Sequence, residues 1–202
     1  YVEGDGKHYR LTPRILDLGF AYLTSMPIWN LAEPVMERLS DALGESCSAA
    51  VLDGSDIVYV MRVHTHKIVS LNLNAGTRLP AYCTSLGRVL LAGLDDAEVK
   101  NRLGSSSLSA KTRHTVTDPA EVLARVQQVR RQGWALVNQE LEEGLVSAAA
   151  PVKNRVGKVV AALNASWLAN RTSATAMKEQ LLPKLRTAAD DVSALLSRTI
   201  RT

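Results

Sequence analysis

Arg78-Leu79-Pro80-Ala81-Tyr82-Cys83-Thr84-Ser85-Leu86-Gly87-Arg88-Val89-Leu90-Leu91-Ala92-Gly93-Leu94 reads as a loop that turns sharply into a helix. Pro80 restrains the backbone and biases Leu79 towards an extended conformation. Thr84 or Ser85 caps the helix with a side-chain oxygen. Leu86, Val89, Leu90 and Leu91 form its buried stripe, and Gly93 weakens its end. A helix start that opens onto a cavity presents free N–H groups and a partial positive charge, a setting suited to a small carboxylate. The expectation is a sensor of a small anionic metabolite, built around this helix start.

Upstream of this segment the periodicity is that of strands. Ser46–Leu52 and Asp56–Val63 are β-rich runs joined by Asp53-Gly54-Ser55, and Ile68–Leu73 is a third. Downstream, residues 84–94, 95–103 and 119–132 are helical, the last between an Asp118 cap and a Gly133 stop. Trp134–Gln139, Leu145–Val152 and Lys158–Ser166 follow as strands, with Asn154-Arg155-Val156-Gly157 as a turn. A long helix over 173–200 closes the chain on Leu181, Leu185, Val192, Leu195 and Leu196, with Pro183 as a bend. Before residue 45 the pattern is a hairpin over 1–11, a helix from Pro13, and a helix over 27–43 that carries Leu31, Val35, Leu39 and Leu43. Hairpin-linked strands with helices packed on them imply an α+β fold, an antiparallel sheet of about six strands preceded by a helical linker.

The chain has 202 residues, 46% of them hydrophobic and 22% charged, enough to bury a core. No apolar run approaches the roughly 18 residues of a membrane span, so no membrane partner is expected. A net charge of +4, with scattered basic residues, allows nucleic-acid contact without requiring it. Cys47 and Cys83 form no CxxC pair, which fits free thiols in a reducing, cytoplasmic setting. His64 and His66 lie two apart, but no third ligand stands at motif spacing, so no metal and no cofactor is expected. Ser85 lies in no G-x-S-x-G elbow, and there is no P-loop or G-x-G-x-x-G, so an enzyme is not expected.

The chain resembles the IclR family of bacterial transcriptional regulators over essentially its whole length. Four stretches carry the resemblance: Tyr9 to Gly19, Leu79 to Leu94, Gly133-Trp134-Ala135 through Asn138-Gln139-Glu140 to Val152, and Val160 to Ser166. Leu79 to Arg88 is most similar to the branch that controls breakdown of aromatic acids through protocatechuate and β-ketoadipate. The resemblance implies a wing hairpin over 1–11 as the remnant of a winged helix-turn-helix, a linker helix over 12–26, and a GAF-like effector-binding domain over 27–202. It also implies promoter DNA as a partner through a missing N-terminal domain, a small organic-acid effector, and a homodimer or tetramer.

By the same resemblance the effector pocket is walled by Leu79, Ala81, Ser85 and Leu86, with Ser147, Asn164 and Ser166 on the last two strands. Strand spacing agrees, because Asn164 and Ser166 are two apart and share a face inside an apolar run. The N–H groups of Ser85, Leu86 and Gly87 would receive a carboxylate, while Ser147, Asn164 and Ser166 bond other oxygens. Met61, Leu79, Tyr82 and Leu86 would supply apolar wall. Ser147 and Asn164 depart from the form of glyoxylate- and pyruvate-sensing members, which carry cysteine and serine there; Val137 replaces an acidic group. A larger, less polar effector fits these changes. The alternatives are a sensor of a small keto acid such as pyruvate or glyoxylate, and an oligomerisation domain without ligand. Arg88 reads as an outward-facing residue paired with surface acids, or else as a carboxylate clamp. Glu140, Glu142 and Glu143 read as a solvated loop or partner contact.

Overall fold

The structure is a computed structural model that describes residues 1–25, 28–64, 73–170 and 177–199. Strands β1 (Val2–Gly4) and β2 (Tyr9–Leu11) form the expected hairpin and lead into helices α1 (Ile15–Ser25) and α2 (Ile28–Leu43). Next come β3 (Cys47–Asp53), β4 (Asp56–Val63), β5 (Arg78–Pro80), α3 (Ser85–Ala92), α4 (Asp96–Gly104) and α5 (Pro119–Gln132). Strands β6 (Ala135–Asn138), β7 (Leu145–Lys153) and β8 (Val159–Leu168) precede a π-helical turn at Met177–Leu181 and helix α6 (Leu182–Thr199). The fold is α+β: six antiparallel strands in the order β5-β4-β3-β8-β7-β6, with helices on both faces.

The period-2 alternation of β7 and β8 divides the core. Val146, Ala148, Ala150 and Val152 of β7, and Ala161, Leu163, Ala165 and Trp167 of β8, pack with α2 and α6 on one face. Ala149 and Ala162 point to the other face, where they meet α3 and α5. Small side chains let α3 lie close on the sheet, and Gly87 lets it lie close on its own approach loop: a Cβ there would stand 2.2 Å from the Ala81 carbonyl oxygen.

Two expectations are revised, and a third lies outside the described residues. Arg78–Pro80 is not loop but a short edge strand, and register with β4 sets it: Asp56 pairs Pro80, and Val58 pairs Arg78. Pro80 fits because an edge strand has one side free of ladder bonds. The run Ile68–Leu73 lies, up to residue 72, outside the described residues, as does the start of the helix expected over 173–200. The described part of that helix is a π turn followed by α6 rather than one bent helix. Pro183 has no N–H to donate and its ring crowds the carbonyl four residues back, so the turn ahead of it is widened.

A β-bulge in β4 has the greatest consequence for function. Ala50 pairs Tyr59 but Ala49 pairs Met61, so Val60 is an extra residue. The bulge reverses the parity of the strand beyond it. Val60 and Met61 both pack on the α2 and α6 face, and Arg62 turns to the face of α3.

Candidate functional site

Neighbouring strands bring one polar row together on the α3 face. Ser48 pairs Arg62 on β4 and Asn164 on β8; one step along, Ser166 pairs Ser147, which pairs Val137 on β6. The start of α3 lies over this row. Between them is a narrow cleft lined by Tyr59, Arg62, Ser85, Leu86, Ser147, Asn164 and Ser166. Leu73, Cys83, Thr84, Val137, Leu141 and Leu145 complete its lining. The enclosed space is small, about 20 Å³, on the scale of a single water, so a larger ligand enters only as the walls part.

Two polar groups in this cleft have no partner among the described residues. Ser85 Oγ and Asn164 Oδ1 are buried without a hydrogen bond, although the residues are only 1% and 4% exposed. Leaving such a group unpaired costs about 1–3 kcal/mol. The other end of the Asn164 amide donates to Ser166 Oγ at 3.1 Å. Rotating the amide exchanges its ends without pairing both, so one end faces the cleft in either setting.

The helix start supplies donors. Thr84 is the cap: its Oγ1 accepts the Gly87 N–H at 3.2 Å and donates to the Pro80 carbonyl at 3.0 Å. The first backbone bond of the helix runs from the Arg88 N–H to the Thr84 carbonyl. The N–H groups of Ser85 and Leu86 therefore lie ahead of the helical ladder, where the dipole favours an anion. Arg62 adds the formal positive charge. It is half-buried; its Nη1 donates to Ser48 Oγ at 3.1 Å and its Nε to His64 Nδ1 at 3.4 Å. Among the described residues no carboxylate forms an ion pair with it. Burial draws its pKa below the ordinary arginine value, while Tyr59 and Cys47 pull the other way. The Cys83 thiol is pushed up to about 11 and the Tyr59 hydroxyl to about 12, chiefly by burial, so both face the cleft neutral.

Of the residues expected to form the pocket, Ser85, Leu86, Ser147, Asn164 and Ser166 line the cleft. Met61 does not; the bulge turns it to the opposite face of the sheet, against the α2 and α6 core. Gly87 is not a free donor, because Thr84 takes its N–H. Leu79, Ala81 and Tyr82 pack in the core around α3 rather than on the cleft, and the Tyr82 hydroxyl donates to the Ser109 carbonyl. Arg88 and Glu140 also depart from expectation. They form a buried two-pronged ion pair, Nη1 to Oε1 at 2.8 Å and Nη2 to Oε2 at 2.6 Å. Arg88 thus neither faces outward nor remains open to clamp a ligand, and Glu140 is no solvated acid. Of the two histidines, His64 is exposed and His66 lies outside the described residues. Sequence reading missed Arg62. Strict alternation from Tyr59 points to Met61, and only the bulge selects its neighbour.

Residues 20–194 match the model of the bacterial transcriptional regulator IclR C-terminal region. The chain belongs to the IclR family. It is 45% identical over 193 residues to the Pca regulon regulatory protein of Pseudomonas putida, covering 95% of this chain and 66% of that protein. It therefore spans just under two thirds of that relative's length. An IclR homologue from Microbacterium hydrocarbonoxydans, solved with 4-hydroxybenzoate, is similar with a TM-score of 0.83 at 26% identity, covering 98% of this chain and 80% of that one. A double mutant of the PobR inducer-binding domain from Acinetobacter, solved with 3-hydroxybenzoic acid, has a TM-score of 0.76 at 30% identity, covering 82% of this chain and 97% of that one. The IclR-family fold, with its GAF-like six-stranded sheet, is thus the fold expected from the four sequence stretches. Among the described residues no helix is long and apolar enough to cross a membrane.

Proposed function

We propose that this chain is the effector-sensing part of an IclR-family regulator and binds an aromatic acid in the cleft under α3. One observation carries the reading: the buried, unpartnered Ser85 Oγ and Asn164 Oδ1 face a cleft that also holds Arg62 and the start of α3. A carboxylate would compensate the half-buried guanidinium of Arg62 and the first amides of α3. As the walls part, the ring would lie against Leu86, Val137, Leu141 and Leu145, and a ring hydroxyl would pair with the Asn164 amide end. A hydroxyl both donates and accepts, so it satisfies that end in either amide setting. The relatives solved with hydroxybenzoates support this ligand class.

In the whole regulator, residues 1–11 would close a winged helix-turn-helix, 12–26 form the linker helix, and 27–202 form the sensor. The linked DNA-binding part would contact promoter DNA, and protomers would pair as dimers or tetramers. Effector binding changes promoter affinity only through a difference in affinity between two arrangements; a coupling of about 1–3 kcal/mol is enough for regulation. The test is thermal unfolding against protocatechuate, 4-hydroxybenzoate, β-ketoadipate, cis,cis-muconate, pyruvate and glyoxylate. A ligand at 100 times its dissociation constant adds about 2.7 kcal/mol, hence a rise of about 5–10 °C. A rise confined to the aromatic acids supports the reading. A rise with pyruvate or glyoxylate alone replaces the effector class, and no rise with any of them removes it.

A further inference from the structure

The Arg88–Glu140 pair spans 52 residues of sequence and ties together two walls of the cleft. Their side chains are only 4% and 10% exposed. On the α3 side, Arg88 Nε donates to the Tyr82 carbonyl at 3.1 Å, immediately before Cys83, Thr84 and Ser85 of the lining. On the other side, Glu140 adjoins Leu141, and the segment from Gln139 to Leu145 forms the opposite wall. That segment is braced from several directions. Thr115 Oγ1 donates to the Glu140 carbonyl and Thr112 Oγ1 to the Gln139 carbonyl, each at 2.6 Å. The Val116 N–H donates to Glu140 Oε2 at 3.3 Å, and Gln139 spans its own turn through the Leu145 carbonyl and the Gly144 N–H. Gln139 holds a φ of 60°, the one positive φ at a non-glycine position among the described residues. Such a conformation persists where surroundings over-determine it.

We propose that Arg88 and Glu140 are positioning residues for effector selection: the pair fixes the distance between the Leu141 wall and the Cys83–Ser85 wall, and so the size of ring the cleft admits. The claim about the ring rests on the aromatic-acid reading above; the claim about the wall does not. A buried ion pair is seldom retained for stability, since apolar replacement of both partners is often neutral or stabilising, whereas removing one partner strands a charge. Its worth here lies in geometry. An apolar pair of similar volume fills the space but bonds neither the Tyr82 carbonyl nor the Val116 N–H, and so no longer fixes the one wall against the other.

The experiment compares wild type with Glu140→Gln and with the double variant Arg88→Met/Glu140→Leu. Two readouts are taken: amide hydrogen exchange over 139–145, and dissociation constants for 4-hydroxybenzoate and its bulkier 3-methoxy derivative. Wild type is expected to prefer the smaller acid. The double variant should stay folded, with a melting temperature above that of Glu140→Gln, while exchange over 139–145 accelerates relative to α2 and α6. The preference between the acids should shrink by about tenfold, the size of a strong coupling between neighbours. Glu140→Gln should show the same changes with lower stability. The proposal is overturned if the double variant keeps both wild-type exchange and wild-type preference, because the pair would then be only filler. It is equally overturned if exchange is unchanged in both variants. If wild type binds neither acid, the aromatic-acid reading fails, and the exchange data alone still decide whether the pair holds the wall.

Discussion

Ser85 and Asn164 are built against the stability of the free domain. Each buries an oxygen that makes no hydrogen bond among the described residues, a cost that a binding role accounts for. Replacing Ser85 by Ala should therefore raise the melting temperature by about 2–4 °C, equivalent to about 1 kcal/mol. The same change should weaken aromatic-acid binding several-fold; a variant both less stable and unaltered in binding would contradict the assignment. The buried thiols predict a pH response. Cys83 is pushed up to about 11 and Cys47 to about 12, against an ordinary value of 9.0, by burial in each case. Their folded pKa values are raised, so above pH 9 the unfolded chain holds fewer protons than the folded one. Stability is complete below about pH 8.5 and falls as pH climbs towards 11 and 12. Urea unfolding at pH 7.5 and pH 10.5 should show a smaller loss for Cys83→Ala than for wild type. Equal losses would mean that the thiol ionises freely in the folded protein.

At the scale of elements, helix α3 depends on a close approach that only glycine allows. Gly87→Ala would set a Cβ 2.2 Å from the Ala81 carbonyl oxygen, a backbone atom that cannot rotate away. Denaturant unfolding should show a loss of about 3 kcal/mol or more, the scale of severe overpacking. A loss below about 1 kcal/mol would mean that the loop shifts freely. The same segment shows what could be read in advance. Proline restraint, a Thr cap and a leucine stripe are local signals, so α3 and its start were legible, as were the alternating runs of β7 and β8. Asn164 and Ser166 were legible for the same reason, as polar residues on one face of an apolar strand. Arg62 was not, because a single extra residue at Val60 reverses the strand's parity, and no local pattern marks a bulge. Nor was the Arg88–Glu140 pair, since its partners meet only after the sheet has formed. Tyr82 and Leu79 looked like pocket wall because apolar residues beside a site resemble those beneath it. Packing against α3 settles which they are.

For the whole molecule, the cleft joins parts of the chain that are far apart in sequence. Arg62 comes from the β3–β4 hairpin, Ser147, Asn164 and Ser166 from β7 and β8, and Ser85 from α3. A ligand held by all three stabilises the folded domain as a unit. Arg62, the only cleft cation among the described residues, lies in the same cross-strand row as Asn164, with Ser85 on the helix above; in the proposed complex the carboxylate faces Arg62 and the start of α3. The most direct test is calorimetric titration of 4-hydroxybenzoate into wild type and Arg62→Met. The prediction is saturable binding at one site in wild type, weakened at least about tenfold in the variant, as for a charge-assisted bond of about 1.5–3 kcal/mol, with the variant still folded. Absence of binding to wild type, or equal affinity in the two proteins, would contradict it.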